Sequence, residues 1–131
     1  MRDVSKISVT QSKSMIDVIT MMIDQKSREI VITDPHHNIE GIITGTDIVR
    51  EIERAIDSSR LLEGTADFVM TERPTSVPTG TLMIDVVDRM YRHGLHVIVV
   101  TENYEAIGII TQLDVIKWWL EEYGKKEKEQ Q

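Results

Sequence analysis

Apolar residues recur along this chain at two spacings, one typical of amphipathic helices and the other of buried strands. A stripe at i, i+3, i+4, i+7 and i+8 runs from Met15 to Ile23 and again from Met83 to Tyr91, which predicts two helices. Short β-branched runs follow each stripe, at Ile30 to Thr33 and at Val97 to Thr101, and these runs predict buried strands. A polar turn, a second apolar run and another amphipathic stretch come next in both places.

The same order occurs twice because the sequence repeats itself. The segment GIITGTD at Gly41 to Asp47 returns as GIITQLD at Gly108 to Asp114, an offset of 67 residues (108 minus 41). The tetrapeptide MIDV at Met15 returns at Met83, an offset of 68 residues. We expect the one-residue slip in the turn Asp34 to Asn38, because turns absorb insertions most easily. One copy of such a repeat rarely buries its apolar face alone, so the two copies predict one paired domain.

Each copy has the predicted order strand, helix, strand, strand, helix, which is an α+β arrangement. The opening strands are predicted at Lys6 to Val9 and at Thr75 to Val77. We place the first repeat with its connecting helix at residues 1–62 and the second repeat at residues 63–123. Residues 124–131 mix Lys and Glu without apolar anchors, which predicts a flexible tail.

Composition limits the classes of function. The chain has 131 residues, with 15 Lys and Arg against 22 Asp and Glu and a formal net charge of −7. Nucleic acid is not the expected partner, because phosphate-backbone affinity requires clustered Lys and Arg. The chain has no cysteine, which excludes disulfides and thiolate chemistry. No apolar run approaches about 18 residues and no signal-peptide pattern is present, so we expect a cytoplasmic protein that does not cross a membrane.

The repeated Thr-x-x-Asp pattern, at Thr44 and Asp47 and at Thr111 and Asp114, has two interpretations. It is a helix-start device in which the Thr hydroxyl accepts from a backbone N–H and the Asp reaches back, as in a capping box. Alternatively, it is a ligand site, since a carboxylate accepts hydrogen bonds from a sugar diol and the free N–H groups of a helix start attract phosphate. The glycine before each strand would then let a flat base approach the backbone. Together these groups suit a ribose that carries phosphate.

The motif residues resemble the signature of the cystathionine-β-synthase (CBS) domain, whose tandem pair is called a Bateman module. The signature is a glycine, two apolar residues, Thr or Ser, two variable residues and then Asp, and both copies match it at every position. The resemblance extends from about Val4 to Trp119. It implies two pseudo-symmetric β-α-β-β-α repeats packed sheet to sheet, with two clefts that bind adenine nucleotides or adenosyl compounds. It also implies a homodimer in the form of a flat disc.

The resemblance also implies roles for individual residues. Asp47 and Asp114 would each hold a ribose, with Thr44 and Thr111 beside the ribose or the phosphate. Each cleft would in addition borrow the opening strand of the other copy and the residue just before its second strand. One cleft would then combine Thr111, Asp114 and Ile107 with Ile7, Ser8 and Arg28, and the other would combine Thr44 and Asp47 with Thr75, Ser76, Val77 and His96.

Two differences between the copies favour the Asp114 cleft. The residue before the motif glycine is commonly apolar in this family and lies against the base, a pattern that Ile107 fits and Glu40 does not. The Asp114 cleft can offer phosphate the permanently charged Arg28, whereas the other cleft has only His96, which is mostly neutral at pH 7. The implied ligand is AMP, ADP or ATP, with S-adenosylmethionine and NAD ranked behind them, and no other cofactor is required.

We find no catalytic constellation in the sequence. There is no glycine-rich phosphate loop, no nucleophile with a partner base and no metal-ligand cluster, so we expect neither an enzyme nor a metal site. Arg50 and Lys117 each lie three residues after a motif Asp, and two roles are open to them: contact with a phosphate, or an ion pair with that Asp, of which we expect the ion pair. Two hypotheses follow. The chain is a stand-alone regulatory module that binds a nucleotide and signals to an effector protein, or it is a ligand-free dimeric scaffold.

Overall fold

The computed structural model describes residues 1–55 and 60–124. In chain order, its elements are β1 (Arg2–Asp3), β2 (Ser8–Val9), α1 (Met15–Asp24), β3 (Glu29–Thr33), β4 (Ile39–Thr44), α2 (Gly45–Arg54), α3 (Arg60–Glu63), α4 (Ala66–Val69), β5 (Thr71–Glu72), β6 (Ser76–Pro78), α5 (Met83–His93), β7 (Val97–Glu102), β8 (Glu105–Thr111) and α6 (Gln112–Trp119). A π-helical turn, Leu120–Gly124, follows α6. The predicted tail, apart from Gly124, lies outside the described residues.

Both copies fold in the predicted order, and the one-residue slip falls in the predicted turn. Thr33 pairs with Ile39 across five intervening residues, whereas the equivalent Thr101 pairs with Ala106 across four. The backbone keeps the offset of the repeats: Val31 N donates to Ile7 O at 2.8 Å, and Val99 N donates to Thr75 O at 3.1 Å. The first opening strand is shorter than predicted, since β2 contains two residues, whereas β6 has the predicted three residues shifted by one position along the chain.

The connection between the repeats is not one continuation of α2. That helix ends at Arg54, and Ala55 has non-helical backbone angles (φ −122°, ψ 32°). Residues 56–59 of the predicted connecting helix lie outside the described residues. Beyond them, Met15 N donates to Gly64 O at 2.9 Å and Ala66 N donates to Lys13 O at 2.8 Å. These bonds attach the α3–α4 segment to the start of α1.

Each four-stranded sheet contains one strand from outside its own repeat. The strand orders are β2-β3-β4-β5 and β1-β8-β7-β6. β1 pairs antiparallel with β8 of the second repeat, and β5 pairs antiparallel with β4 of the first. The opening strands β2 and β6 instead pair in parallel with their own repeats. Short strands at residues 2–3 and 71–72 therefore join each sheet to the other repeat, while the opening strands stay with their own repeats.

The motif glycines are required by this exchange of strands. Gly41 lies in β4 opposite β5, and Gly108 lies in β8 opposite β1. A Cβ atom on Gly41 would come within 2.6 Å of Met70 Sδ and 3.0 Å of the Thr71 carbonyl oxygen. A Cβ atom on Gly108 would come within 2.5 Å of Met1 Sδ. The crossing chain therefore fills the space that a side chain at each glycine would need, and the predicted approach of a base to this backbone stays a prediction.

The two sheets pack face to face on a shared core. One buried cluster contains Val31 and Ile43 of the first sheet together with Val99, Ala106 and Ile109 of the second. A second cluster lies beneath α5 and contains Val77, Val86, Met90, Ile98, Val100 and Ile110. β-branched residues dominate both clusters because they fit a pleated, buried surface. The repeats therefore form one body around a common interior, as the duplication predicts.

The helix stripes are less buried at their last position than predicted. In α1, Met15 and Val18 are buried whereas Ile23 is 70% exposed. In α5, Val86 is buried whereas Tyr91 is 87% exposed. A residue at i+8 is turned about 80° from the residue at i, so it lies at the edge of the stripe. Ile23 and Tyr91 therefore do not belong to the core.

Several large apolar side chains are exposed at matching positions of the two repeats. The matching pairs are Ile16 and Ile84, Val49 and Ile116, and Ile52 and Trp119. Because the same positions are apolar and exposed in both copies, they form a repeated surface feature of the helices. No helix in the described ranges is both long enough and apolar enough to cross a membrane.

Candidate functional site

Thr44 and Thr111 cap the starts of α2 and α6 in the same way. The Thr44 N–H donates to Asp47 Oδ2 at 2.9 Å, and the Thr111 N–H donates to Asp114 Oδ2 at 2.8 Å. In return, each Thr hydroxyl oxygen accepts from the N–H of its Asp at 3.4 Å. Both arrangements are capping boxes. The helix-start interpretation is therefore confirmed, and it occupies only the Oδ2 atom of each carboxylate.

The other carboxylate oxygen has a different neighbour in each repeat. Asp47 Oδ1 accepts a hydrogen bond from Arg50 Nη2 at 2.8 Å, and the Asp47 side chain is only 6% exposed. Asp114 Oδ1 lies 3.9 Å from the Met1 amino nitrogen, and the Asp114 side chain is 30% exposed. The predicted pairing of Arg50 with Asp47 is confirmed. The two motif carboxylates therefore differ in their ion pairing and in their access to solvent.

The pairing predicted for Lys117 with Asp114 is not found among the described residues. Both residues line a small pocket of about 320 Å³, which Met1 also lines. The Met1 amino group, and not the Lys117 ammonium group, lies nearest to the Asp114 carboxylate there. Asp114 Oδ1 therefore has no close cationic side chain among the described residues, whereas Asp47 Oδ1 has that of Arg50.

A cavity of about 1050 Å³ lies between the two repeats. Both helix starts line it, together with the segments that precede β3, β6 and β7. Seven residues predicted from the sequence are brought together in its wall: Arg28, Thr44, Asp47, Thr75, His96, Thr111 and Asp114. The two motifs therefore face one continuous space to which both repeats contribute.

The other five predicted residues lie outside the lining of this cavity within the described structure. Ile7 is fully buried, and Ser8 pairs with β3 of its own repeat. Ser76 and Val77 pair with β7, and Ile107 packs against the core cluster beneath α5. Their positions are those of sheet and core residues. Their predicted contacts with a ligand stay predictions.

Backbone contacts place Arg28 and His96 beside the helix start of their own repeat. The Arg28 carbonyl accepts from Gly45 N at 2.8 Å, and the His96 carbonyl accepts from Gln112 N at 3.3 Å. The resemblance grouped these residues the other way, with Arg28 beside the second motif and His96 beside the first. Both residues line the shared cavity, so each faces the space that a ligand of either motif would use.

Four charged residues of the cavity wall were not predicted from the sequence: Arg2, Lys26, Glu29 and Arg73. Arg2 reaches the cavity because β1 pairs with the second sheet, and a two-residue strand has no periodicity that could reveal such pairing. Arg73 follows β5 with a φ of 51°, which is uncommon for a residue other than glycine. Lys26 and Glu29 flank Arg28 in sequence, and that proximity was the one signal that could have identified them.

Glu29 is the carboxylate most perturbed by the cavity. Burial raises the pKa of Glu29 above its ordinary value. The cations of Arg28 and Arg2 oppose this rise in pKa, whereas the negative charge of Asp114 adds to it. The pKa of Glu29 is therefore influenced by charged residues of both repeats.

The described residues contain no group of three or more His, Asp or Glu side chains close enough together to hold a metal ion. The chemistry available in the cavity wall is therefore that of cations, carboxylates, hydroxyl groups and helix-start N–H groups. Such a set recognises a polar, charged ligand by hydrogen bonds and ion pairs.

The sequence profile described as CBS domain matches this chain twice, at residues 1–54 and at residues 66–121. This chain belongs to the CBS domain family. The two matches cover both capping boxes, so the chain is a tandem CBS pair. Comparison with proteins of curated function gives no match.

Solved structures of CBS-domain proteins share the fold of this CBS pair. A CBS domain-containing protein of unknown function from Bacillus anthracis has a TM-score of 0.80 and 18% identity, covering 92% of this chain and 89% of that one. A CBS-domain containing protein from Agrobacterium tumefaciens has a TM-score of 0.78 and 23% identity, with coverages of 89% and 90%. CBSX2, a CBS-pair protein of Arabidopsis thaliana solved in complex with AMP, has a TM-score of 0.76 and 20% identity, covering 92% of both chains.

Proposed function

We propose that this CBS pair is a regulatory module that binds an adenine nucleotide in the cavity between its repeats. The observation that carries the proposal is the state of Asp114. Its carboxylate is fixed by Thr111 at the start of α6, it lines the cavity, and its Oδ1 atom has no close side-chain cation among the described residues. A carboxylate placed in this way accepts hydrogen bonds from the hydroxyl groups of a ribose.

The charges of the cavity wall favour a phosphate next to that ribose. Four basic residues line the cavity, namely Arg2, Lys26, Arg28 and Arg73. Among the acidic residues of the wall, Asp47 is already paired with Arg50, which lowers its repulsion of an anion. The N–H groups at the start of α6 add a favourable field for phosphate. A ribose phosphate is therefore the unit that fits these groups best.

The size of the cavity and one structural neighbour direct the choice of ligand. Small-molecule sites commonly occupy about 300–1,000 Å³, and the cavity here is about 1050 Å³, so a nucleotide fits inside it. The motif recognises the ribose and not the base. The AMP complex of CBSX2 makes AMP the first ligand to test, followed by ADP and ATP. S-adenosylmethionine and NAD come after these.

In this proposal, binding of a nucleotide in the cavity changes a surface of the module that another protein contacts. A ligand that contacts both repeats biases their relative packing if it binds one arrangement more tightly than another. The exposed apolar pairs on the helices, such as Val49 with Ile116 and Ile52 with Trp119, offer a surface for a homodimer. We propose that the dimer, or an effector protein that contacts it, detects the bound nucleotide. The cytoplasmic location expected from the sequence stays a prediction.

A ligand-free dimeric scaffold is the second candidate function. Two observations favour it: both motif carboxylates serve as helix caps without any ligand, and the exposed apolar helix faces match between the repeats. In a scaffold, the cavity would hold only water. The two candidates therefore differ in whether nucleotides stabilise the protein.

Thermal unfolding with a panel of ligands separates the two candidates. AMP, ADP, ATP, S-adenosylmethionine and NAD are each added to the wild type and to Asp114→Ala. A nucleotide at a hundredfold its dissociation constant should stabilise the wild type by about 2.7 kcal/mol, which raises the melting temperature by several degrees. The regulatory proposal predicts such a shift for at least one adenine nucleotide and its loss in Asp114→Ala. No shift with any of the five ligands would favour the scaffold.

A further inference from the structure

The two motif carboxylates occupy equivalent positions in the repeats, yet among the described residues only Asp114 has a carboxylate oxygen without a side-chain hydrogen-bond partner. In both repeats Oδ2 accepts from the backbone N–H of the capping Thr. In the first repeat Oδ1 accepts from Arg50 Nη2 at 2.8 Å. In the second repeat the nearest cation to Oδ1 is the Met1 amino group at 3.9 Å, which is too far for a normal hydrogen bond.

Burial adds to this difference. The Asp47 side chain is 6% exposed and the Asp114 side chain is 30% exposed. Arg50 is not among the residues that line the central cavity, so it holds Asp47 Oδ1 from outside that cavity. Asp114 instead lines both the central cavity and a second, smaller pocket.

A ribose needs carboxylate oxygen atoms that can accept hydrogen bonds from its hydroxyl groups. At Asp47, a ribose would have to share Oδ1 with Arg50, or displace it from a short, charge-assisted hydrogen bond, at a carboxylate that is only 6% exposed. At Asp114, a ribose would displace no side chain. The same ligand therefore binds the two halves of the cavity with different affinities.

We infer that Arg50 closes the Asp47 half of the cavity to nucleotides, so that each chain binds one nucleotide with its ribose on Asp114. This inference rests on the proposed function and adds to it the stoichiometry and the residue that determines it. Lys117 occupies the position of Arg50 in the second repeat but makes no ion pair with Asp114 among the described residues. Arg50 is thus the side chain that distinguishes the surroundings of the two Oδ1 atoms.

Equilibrium dialysis with AMP as the probe tests the inference. The wild type should bind one AMP per chain, and Asp114→Ala should bind none. Arg50→Gln frees Asp47 Oδ1 and should bind a second AMP, with affinity at that half raised at least about tenfold over the wild type. The double variant Arg50→Gln, Asp114→Ala should bind one AMP, now at Asp47. Lys117→Gln is the matched control and should keep one AMP per chain.

The outcomes separate this inference from the proposed function. Two AMP molecules of similar affinity on the wild type would overturn the role of Arg50 while leaving nucleotide binding intact. A folded Arg50→Gln variant that still binds only one AMP would also overturn that role. So would a folded Arg50→Gln variant that binds AMP more weakly than the wild type, because weaker binding would mean that Arg50 contacts the phosphate. Thermal unfolding of each variant establishes that it is folded, and Arg50→Met serves as a second test. If the wild type binds none of the five ligands of the panel, the proposed function itself is wrong.

Discussion

Arg2 Nη2 donates a hydrogen bond to the Gln25 carbonyl oxygen at 2.6 Å, which joins the second sheet to the end of α1 in the first repeat. Arg2 also lines the wall of the shared cavity. The guanidinium group therefore has two functions at one position, linking the repeats and supplying a positive charge to the cavity.

Replacing Arg2 should weaken the link between the repeats. Arg2→Ala should lower the free energy of unfolding by about 1 kcal/mol, the typical net value of one hydrogen bond. Arg89 offers a control, since it is exposed and its side-chain hydrogen bond within the described part of the chain is a long one, 3.4 Å to the Ser76 carbonyl. Arg89→Ala should change stability by less than about 0.5 kcal/mol in the same urea titration. Equal losses in the two variants would show that the Arg2 bond does not hold the repeats together.

The two motif aspartates should differ in their contribution to stability. Asp114→Ala removes a helix cap and should cost about 1 kcal/mol. Asp47→Ala removes a cap and also the Arg50 bond to a carboxylate that is 6% exposed, so it should cost roughly 2–3 kcal/mol. Urea unfolding of both variants without ligand measures the difference. If Asp114→Ala is the more costly change, the Arg50 bond contributes no net stability.

The structural role of the motif glycines can be measured with Gly41→Ala. A Cβ atom there would meet Met70 Sδ at 2.6 Å and the Thr71 carbonyl oxygen at 3.0 Å, so β5 would have to shift away from β4. We expect a loss of about 1–3 kcal/mol, as for overpacking in a core.

Gly45→Ala is the matched control for that substitution. Gly45 begins α2, and the nearest atom to an added Cβ is the Arg28 carbonyl oxygen at 4.0 Å. Alanine is the better helix former, so this variant should keep or raise stability, by up to about 1 kcal/mol. A Gly41→Ala variant as stable as Gly45→Ala would show that the close approach of β5 is not what requires the glycine.

Glu29 should make stability and ligand affinity depend on pH. Burial raises its pKa in the folded state, so the charged form of Glu29 is unfavourable in the folded protein at neutral pH. The folded state binds more protons than the unfolded state between the ordinary pKa and the raised one, so the penalty from Glu29 disappears as the pH falls through that interval. Glu29→Gln should therefore be more stable than the wild type at pH 7, and the difference should vanish at acid pH.

Thermal unfolding of the wild type and Glu29→Gln at several pH values measures this effect. The same variant should bind AMP more tightly at pH 7, because it removes a negative charge from a cavity that is proposed to hold phosphate. A Glu29→Gln variant that is less stable at pH 7 and gains nothing in affinity would contradict both expectations.

The proposed homodimer depends on the exposed apolar positions of α2 and α6. Ile52→Lys and Trp119→Lys place a charge at matching exposed positions, which a buried interface does not tolerate without a partner charge. Sedimentation equilibrium should show a dimer for the wild type and a monomer for these variants, with each monomer still folded. A wild type that stays monomeric at high concentration would rule out this surface as a dimer interface.

The fold was largely predictable because the sequence contains two copies of the same pattern. Helix stripes, β-branched runs and the repeated motif identify all the main elements, and an error in one copy is checked by the other. The sequence could not reveal that residues 2–3 and 71–72 exchange between the sheets, since strands of two residues have no periodicity. The sequence also could not reveal that a side chain at Gly41 or Gly108 would collide with the crossing chain, because that close contact depends on the same exchange of strands.

The site was predictable where motifs specify it and not where long-range contacts do. Both capping boxes follow from local spacing, and so does the Arg50 pair three residues after Asp47. Arg2 and Arg73 enter the cavity wall through tertiary pairing and an unusual backbone conformation, which local patterns do not record. The absence of a matching pair at Lys117 likewise depends on what else lies near Asp114.

A crystal structure of the wild type grown with AMP tests the central claim most directly. The account predicts one AMP per chain in the cavity between the repeats, with its ribose hydroxyl groups within about 2.5–3.0 Å of the Asp114 carboxylate and Arg50 still bound to Asp47. An AMP whose ribose lies on Asp47, or a cavity that holds only water at saturating AMP, would contradict it.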